Sequence, residues 1–248
     1  MNCKRVFVVA AAFAAAMSVA PAAQAQPSVM DYRWSFDVGL GWDNSISGNI
    51  NSGAIGTLND QVAVVLPNSY TDVYGTGFHL RFGGGYLIDE VSEVRAVFTY
   101  QSLNADLTPM GDFGLSKLYG QYDPYRSFGL DVGFRRYFDV SPTVRPYIEA
   151  TGGLGFITEI DVVLAAPTSN LTERATDFYD RTAAVSFGGN AGVLWQVSNY
   201  VGLYGQLGLK WMSGLSAIDD LAGTGLEGIN DDSSRWTLPV VVGMRVRF

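Results

Sequence analysis

One histidine and a scattered set of carboxylates and guanidinium groups are the side chains of this 248-residue chain with the potential for acid–base, nucleophilic or metal chemistry. His79 is the only histidine, and the neighbouring positions of its segment GFHLRF hold no serine. A catalytic triad needs a nucleophile and a carboxylate around the imidazole, and a zinc site needs further ligands. We therefore predict no catalytic residue, no bound metal and no cofactor. We expect His79 to be hydrogen-bonded to Asp37 or to another polar group.

The charged residues follow a two-residue period, in which apolar side chains occupy the alternate positions. Successive side chains of a β-strand point to opposite faces, so this spacing collects charges and glycines on one face and apolar residues on the other. Inside a narrow barrel such charges must pair with one another, and we predict a structural charge network rather than a conducting path. The predicted members of this network are Asp37, His79, Arg81, Glu93, Arg95, Asp131, Arg135, Glu149, Lys210, Arg245 and Arg247.

Eight segments show this alternation and predict an all-β protein. They cover residues 32–42, 76–88, 93–101, 127–138, 146–156, 184–197, 201–212 and 236–248. A strand that crosses a membrane needs roughly 9 to 11 residues, which these segments provide. A soluble lipocalin-like barrel can also have eight strands, but its apolar face points inward. Because glycines and charges share the face that must be the narrow interior, we predict a transmembrane β-barrel with an apolar exterior.

The connections between these segments alternate between long and short. Residues 43–75, 102–126, 157–183 and 213–235 form the long connections. The other three connections need only about three to seven residues each. This rhythm predicts an eight-stranded antiparallel up-and-down barrel with long extracellular loops and short periplasmic turns.

The long connections are rich in acidic residues, and we expect them to form a solvated acidic surface. DFYD at 177–180 and INDDSS at 229–234 are weaker candidates for binding divalent cations, because neither has the spacing of a defined calcium loop. The apolar segment QVAVVLPNSY at 61–70 has three interpretations: a strand that extends above the membrane, a segment folded inward, or a contact patch.

Three details of the strands lead to further expectations. A hairpin about Pro142 would place Arg135 opposite Glu149. Pro239 cannot donate a ladder hydrogen bond, so strand pairing should loosen or bulge beside it. Arg136 interrupts an apolar face, and we expect its side chain to reach the membrane boundary or to mark a small bulge.

All five tryptophans lie on the apolar faces of the predicted strands, near the strand ends. Aromatic residues of membrane proteins concentrate at the two boundaries between lipid and water. We therefore predict an aromatic girdle formed by Trp34, Trp42, Trp195, Trp211 and Trp236.

The first residues have the pattern of an export signal. Lys4 and Arg5 precede a short apolar run, and residues 23–25, Ala-Gln-Ala, match the small-x-small pattern of a signal-peptidase site. We expect residues 1–25 to be a cleaved secretory signal peptide and residues 26–248 to be a single outer-membrane barrel domain.

Composition excludes two further classes of function. The only cysteine is Cys3, within the predicted signal peptide, so the mature chain is expected to have no disulfide and no thiol chemistry. The net charge of -8 argues against a nucleic-acid partner.

The last segment, WTLPVVVGMRVRF, is an alternating strand that ends on Phe248. On these strands, the loop rhythm and the final aromatic residue, the chain resembles the small bacterial outer-membrane β-barrels. Within that group it is most similar to the OmpA transmembrane-domain, OmpX and opacity-protein type, often described as porin-like. The resemblance implies a location in the outer membrane of a Gram-negative cell. It also implies that Phe248 is the assembly signal recognised by the barrel-assembly machinery.

The same resemblance implies partners and a role. The expected partners are outer-membrane lipid and lipopolysaccharide, the barrel-assembly machinery during biogenesis, and an extracellular ligand bound through the loops. The implied role is structural and surface-contacting, in adhesion or recognition, and it is not catalytic. Two alternatives remain: a narrow porin-like channel of the OmpW type for small solutes, and a lipid-modifying outer-membrane enzyme.

Overall fold

The computed structural model describes residues 32–217, 223–230 and 233–248, without the side chains of residues 175–177. The predicted signal peptide lies outside the described residues. Strands dominate the described part, which also holds one helical turn, α1 (Tyr70–Val73), and a 3-10 turn at Pro167–Ser169. The strands are β1 (Trp34–Ser47), β2 (Asn49–Asn51), β3 (Ala54–Leu58), β4 (Gln61–Val65), β5 (Asn68–Ser69), β6 (Gly77–Leu87), β7 (Ser92–Leu103), β8 (Thr108–Phe113), β9 (Ser116–Tyr122), β10 (Tyr125–Tyr137), β11 (Val144–Ile157), β12 (Ile160–Ala166), β13 (Leu171–Tyr179), β14 (Thr182–Gln196), β15 (Val201–Met212) and β16 (Arg235–Arg247).

Eight long antiparallel strands close into a barrel in the order β1-β16-β15-β14-β11-β10-β7-β6. The seam joins the first and last strands, and the Trp34 amide donates to the Phe248 carbonyl at 3.1 Å while the Phe248 amide donates back at 2.9 Å. The predicted fold class is therefore confirmed. Each predicted segment matches one barrel strand, and the largest difference is in β1, which continues past residue 42 to Ser47.

The barrel is apolar outside and polar inside. Leu130 and Val132 on β10 are 56% and 65% exposed, whereas Asp131 between them is buried in the interior. This alternation is repeated on the other barrel strands, because side chains point in turn to the two faces. The described part of the chain holds no helix with the length and hydropathy of a membrane span.

The two ends of the barrel differ. Residues 88–91, 138–143 and 197–200 form short turns at one end, which we call the turn end. The four long connections leave from the opposite end, the loop end. The expected rhythm of long and short connections is thus present.

Three of the long connections, which were predicted as extracellular loops, form regular structure. They build a six-stranded sheet, the loop-end sheet, in the order β13-β12-β9-β8-β4-β3. Within residues 61–70, Gln61–Val65 is strand β4 of this sheet, as the first interpretation expected, and its Ala63 and Val65 side chains pack inward, as the second expected. The contact patch stays a hypothesis. The inner face of the sheet and the barrel mouth share one hydrophobic core, whose members include Ile50, Ala63, Val65, Tyr70, Val73, Met110, Leu118, Tyr122, Tyr125, Val162, Leu164, Met212 and Ile229.

Barrel strands continue directly into the loop-end sheet through short bends. The bends lie at residues 123–124, 158–159 and 180–181, between β9 and β10, β11 and β12, and β13 and β14. Pro124 occupies the first bend, where its missing N–H interrupts the ladder. The bends fall at one level of the barrel wall and form an elbow between the two sheets.

Pro239 loosens the strand pairing on one side only. Its pairing with Asp43 on β1 is continuous, but between β15 and β16 the paired positions skip from Leu207 to Lys210. The register is the same on both sides of this gap, so the predicted loosening occurs without a bulge.

Candidate functional site

Glu149 is the centre of the barrel interior. It accepts hydrogen bonds from the Nη2 of Arg81 at 2.6 Å and from the Nε of Arg135 at 2.8 Å, and Nη1 of Arg95 lies 3.4 Å away. Arg135 is its cross-strand neighbour, as predicted from the hairpin. All four side chains are buried, so one carboxylate lies among three guanidinium groups.

Asp37 balances part of this excess positive charge. It pairs with Arg95, which thus connects two carboxylates. Glycines make room for the network, since a Cβ at Gly83 would overlap Arg95 and a Cβ at Gly85 would overlap Glu93. The charges and the glycines, which were predicted to share one face, therefore belong to one arrangement, in which the glycines leave space for the charged side chains.

A second cluster fills the turn end. Glu93 accepts hydrogen bonds from Ser35 at 2.8 Å and Tyr137 at 2.7 Å, and it pairs with Arg245. Arg247 is buried in the same end of the barrel, and its Nε and Nη2 have no hydrogen-bond partner among the described residues.

Arg145, which the sequence interpretation missed, completes the turn-end cluster. Its guanidinium lies 4.6 Å from the ring centre of Tyr137, and it donates to Asp139 at 3.0 Å and to the Glu90 carbonyl at 2.5 Å. Arg145 lies two residues before the inward-facing Tyr147 on the same strand, so the two-residue alternation could have predicted that it faces the interior.

The third group lies nearer the loop end. Lys210 donates to Asp131 at 2.8 Å, and Ser186 donates to the same carboxylate at 3.0 Å. His79 borders a cavity of about 20 Å³ beside these two charged residues. That volume is about enough for one water molecule.

The expected hydrogen bond of His79 is absent from the described structure. Asp37 is paired with Arg95, and the buried Nδ1 of His79 has no partner among the described residues. The physical reason is distance, because Asp37 lies opposite Gly83 whereas His79 lies opposite Gly41, so the two side chains are separated by four positions along the barrel wall, at roughly 3.3 Å per position.

The mouth at the loop end is closed by two charged residues that the sequence interpretation had placed in connections. Arg235 is buried 4.0 Å from the ring centre of Tyr125 and 5.3 Å from that of Tyr70, and it donates to Gln101 at 2.9 Å. Gln101 in turn donates to the buried Asp43 at 2.7 Å. Asp43 and Arg235 each extend the inward alternation of a barrel strand by one step.

The residues above this layer are neutral. Tyr70 lies on α1 and donates to the Ser233 carbonyl at 2.9 Å. Burial raises the pKa of Tyr70 well above its usual value, and burial likewise raises the pKa of Tyr122. Both phenols therefore stay protonated within the hydrophobic core of the loop end.

Arg136 extends to polar groups at the turn end, without a bulge, and its position at a membrane boundary stays a prediction. It donates to Ser92 at 2.6 Å and lies 3.8 Å from Asp89. The hydrogen bond from the Val91 amide lowers the pKa of the Asp89 carboxyl, which keeps it charged beside Arg136.

The tryptophans form two rows on the barrel exterior. Trp34 and Trp195 lie towards the turn end, and the other three lie towards the loop end. Trp34 and Trp42 are about half exposed, and Trp211 pairs with Trp236 across neighbouring strands. The girdle function of these residues stays a prediction.

The acidic segments give no cation site that the structure describes. The side chain of Asp177 and residues 231–232 lie outside the described residues. Within the described part, no three His, Cys, Asp or Glu side chains are grouped closely enough to hold a metal ion.

No protein-family model matches this chain, and no curated protein matches it. Solved structures with a similar fold include Neisserial surface protein A, at 14% identity over 86% of this chain and 99% of that chain, with a TM-score of 0.43. AlkL in lipid bilayers is 11% identical over 93% of this chain and 96% of that chain, with a TM-score of 0.41. The attachment invasion locus protein Ail of Yersinia pestis is 11% identical over 87% of this chain and 99% of that chain, with a TM-score of 0.36.

The closed eight-stranded barrel with its apolar exterior is the fold of the small outer-membrane β-barrels. The resemblance inferred from the sequence is therefore confirmed at the level of fold. At sequence identities of 11 to 14%, the similarity to these proteins concerns the fold and not their functions.

Proposed function

We propose that this protein is an integral outer-membrane barrel of a Gram-negative bacterium with a structural and surface-contacting role and no catalytic activity. The observation that carries the proposal is an apolar barrel exterior around a filled, charged interior, continued at one end by a folded sheet. Lipid is the solvent that favours an apolar exterior on a closed barrel, since closure leaves no unpaired backbone edge in the hydrocarbon. Phe248 at the closing seam is proposed as the assembly signal.

The filled interior favours this role over the channel alternative. Charged or aromatic side chains occupy the turn end, the centre and the loop-end mouth of the barrel. The cavity beside His79, at about 20 Å³, offers no continuous path for a solute. A cavity of this size also has no room for an enzyme substrate, which weakens the lipid-modifying alternative for the interior.

Labelling of intact cells tests the proposed orientation. Single cysteines replacing Leu115 and Ser216, both exposed at the loop end, are expected to react with a membrane-impermeant maleimide. Cysteines replacing Ser141 and Asn199, in the short turns, are expected to react only after the outer membrane is permeabilised. Equal labelling of both pairs in intact cells would contradict the proposed topology.

The proposed contact surface is the outward face of the loop-end sheet. Ile55 and Val62 on this face are 71% and 55% exposed, an unusual placement for aliphatic side chains. The adjacent strands β8 and β9 hold the surface ion pair Lys117–Asp112 at 2.6 Å, and the far edge of the sheet holds Arg174–Asp161 at 2.6 Å. A partner surface that covers the aliphatic side chains would gain hydrophobic free energy.

Adhesion measurements test this contact surface. Cells expressing the Ile55→Glu/Val62→Glu variant are expected to adhere to immobilised matrix glycoproteins about tenfold less than wild type, because a charge buried in an apolar contact costs more than about 1.4 kcal/mol. Asn199→Glu adds a carboxylate at the turn end and serves as the matched control. Adhesion that is unchanged in the double variant would exclude this face as the contact surface.

A further inference from the structure

A groove of about 760 Å³ lies on the outer wall of the protein at the elbow between the barrel and the loop-end sheet. Its upper rim carries charged residues, and its lower part is formed by the apolar barrel exterior. The residues that line it include Asp123, Arg126, Phe128, Phe156, Glu159, Arg181 and Ala183.

Backbone hydrogen bonds build the elbow and keep the groove open. The Thr158 amide donates to the Arg126 carbonyl at 3.1 Å, and the Asp123 amide donates to the Asp161 carbonyl at 3.0 Å. Between these two bonds the chain bends at Pro124, where no ladder bond can form. The concavity therefore follows from strand geometry rather than from a mobile side chain.

The floor of the groove is a row of apolar residues on three adjacent strands. Phe128 pairs with Phe156, and Phe156 pairs with Ala183 across the next ladder. The two phenylalanines are 44% and 48% exposed and belong to the apolar exterior of the barrel. Ala183 is the smallest side chain of the row and leaves room beside the two rings.

The rim presents guanidinium groups that are not fully used by the protein. Arg181 donates its Nε to Glu159 at 3.2 Å, which orients the side chain and leaves further N–H donors on the same group. Arg126 is exposed, and no described side chain is paired with its guanidinium. The rim also holds the carboxylates of Asp123 and Glu159, and Glu159 is paired with Arg181. Arg126 is therefore the rim cation that has no ion-pair partner among the described residues.

We propose that this groove is a binding site for one phosphate-bearing lipid of the outer leaflet. The acyl chain lies along Phe128, Phe156 and Ala183, and the phosphate is held by Arg126 and Arg181. The planar fork of an arginine matches the oxygens of a phosphate, and an apolar floor directly beneath two such groups matches the junction of headgroup and chain. This inference rests on the proposed location in the outer membrane.

Lipid titration of the refolded protein in detergent micelles tests the site. Binding of bisphosphorylated lipid A is followed by native mass spectrometry, and folding of each variant is checked by heat-modifiable gel mobility. Arg126→Gln/Arg181→Gln is expected to weaken binding at least about tenfold, because two charge-assisted hydrogen-bonding groups are lost. Lys117→Gln/Arg136→Gln removes the same charge from the loop-end sheet and the turn end, both outside the groove, and is expected to bind like wild type.

Two further arms separate the headgroup from the chain. Ala183→Trp fills the groove without changing its charge and is expected to weaken binding of the lipid as well. Dephosphorylated lipid A and inorganic phosphate are each expected to bind far more weakly than the intact lipid.

The proposal is overturned if the two double variants weaken binding equally, or if dephosphorylated lipid binds as tightly as the phosphorylated form. Tight binding of inorganic phosphate alone, or an unaffected Ala183→Trp variant, would show that no acyl chain occupies the groove. Failure of the outer-membrane location is distinguishable from failure of the lipid site, because it appears as equal labelling of the loop-end and turn-end cysteines in intact cells and leaves the micelle titration intact.

Discussion

Glu149→Gln is expected to lower the free energy of unfolding of the barrel by about 3 to 5 kcal/mol, the usual loss when one partner of a buried ion pair is removed. The carboxylate accepts from Arg81 and Arg135 and lies near Arg95, so its neutralisation leaves Arg81 and Arg135 without an ion pair among the described residues and Arg95 with Asp37 alone. The measurement is the urea midpoint of the refolded protein in micelles or vesicles, followed by tryptophan fluorescence.

Two comparisons make this result specific. Arg135→Met should also destabilise the barrel, and the double variant should lose less than the sum because the two residues share one interaction. Glu159→Gln removes a carboxylate from an exposed pair with Arg181 and should change the midpoint little. Discrete single-channel openings of the wild type that Glu149→Gln abolishes, at unchanged stability, would instead support the channel alternative.

Gly41→Ala is expected to destabilise the closing seam of the barrel by about 3 kcal/mol or more, the upper range for overpacking. Gly41 faces inward on β1, and a Cβ at this position would overlap the Val240 carbonyl oxygen on β16. A backbone carbonyl in a closed ladder cannot move aside as a side-chain end can. The expected outcome is a marked loss of the heat-modifiable, folded band and a lower urea midpoint.

Gly84→Ala is the matched control for the seam. Gly84 lies on the neighbouring strand β6 and faces the exterior, and the nearest atom to a Cβ there is the Ser35 carbonyl oxygen at 4.0 Å. This variant should fold like the wild type. Equal stability of the two variants would mean that strands β1 and β16 can separate enough at Gly41 to admit a methyl group.

The barrel could be predicted from the sequence because its two faces meet different surroundings. Apolar residues outside and charges or glycines inside give a sharp contrast at every second position, as in β10 around Asp131. The pairing of Arg135 with Glu149 followed from this contrast together with one hairpin. Charge pairing beyond neighbouring strands, such as Arg95 with Asp37, depends on side-chain reach across the lumen and could not be derived from spacing.

The loop-end sheet escaped prediction for the opposite reason. Its strands are short, and β12 has the sequence IDVVLAA, with aliphatic residues on both faces. Val162 and Leu164 are buried while Val163 and Ala165 are partly exposed, so the sequence carries no contrast between the two faces. Arg235 and Asp43 were not predicted as interior residues for a simpler reason. The predicted strands ended at residue 42 and began at residue 236, one residue short of each at the loop-end mouth.

The bends at the elbow have a mechanical consequence. Because β9 runs into β10 and β11 into β12 through links of two residues, a force applied at the tip of the loop-end sheet is transmitted along the axes of the barrel strands. The ladder bonds of antiparallel strands are perpendicular to the strand axes, so such a load acts on many of them at once in shear. A cell tethered through this sheet would pull against the whole barrel wall rather than unzip one hairpin after another.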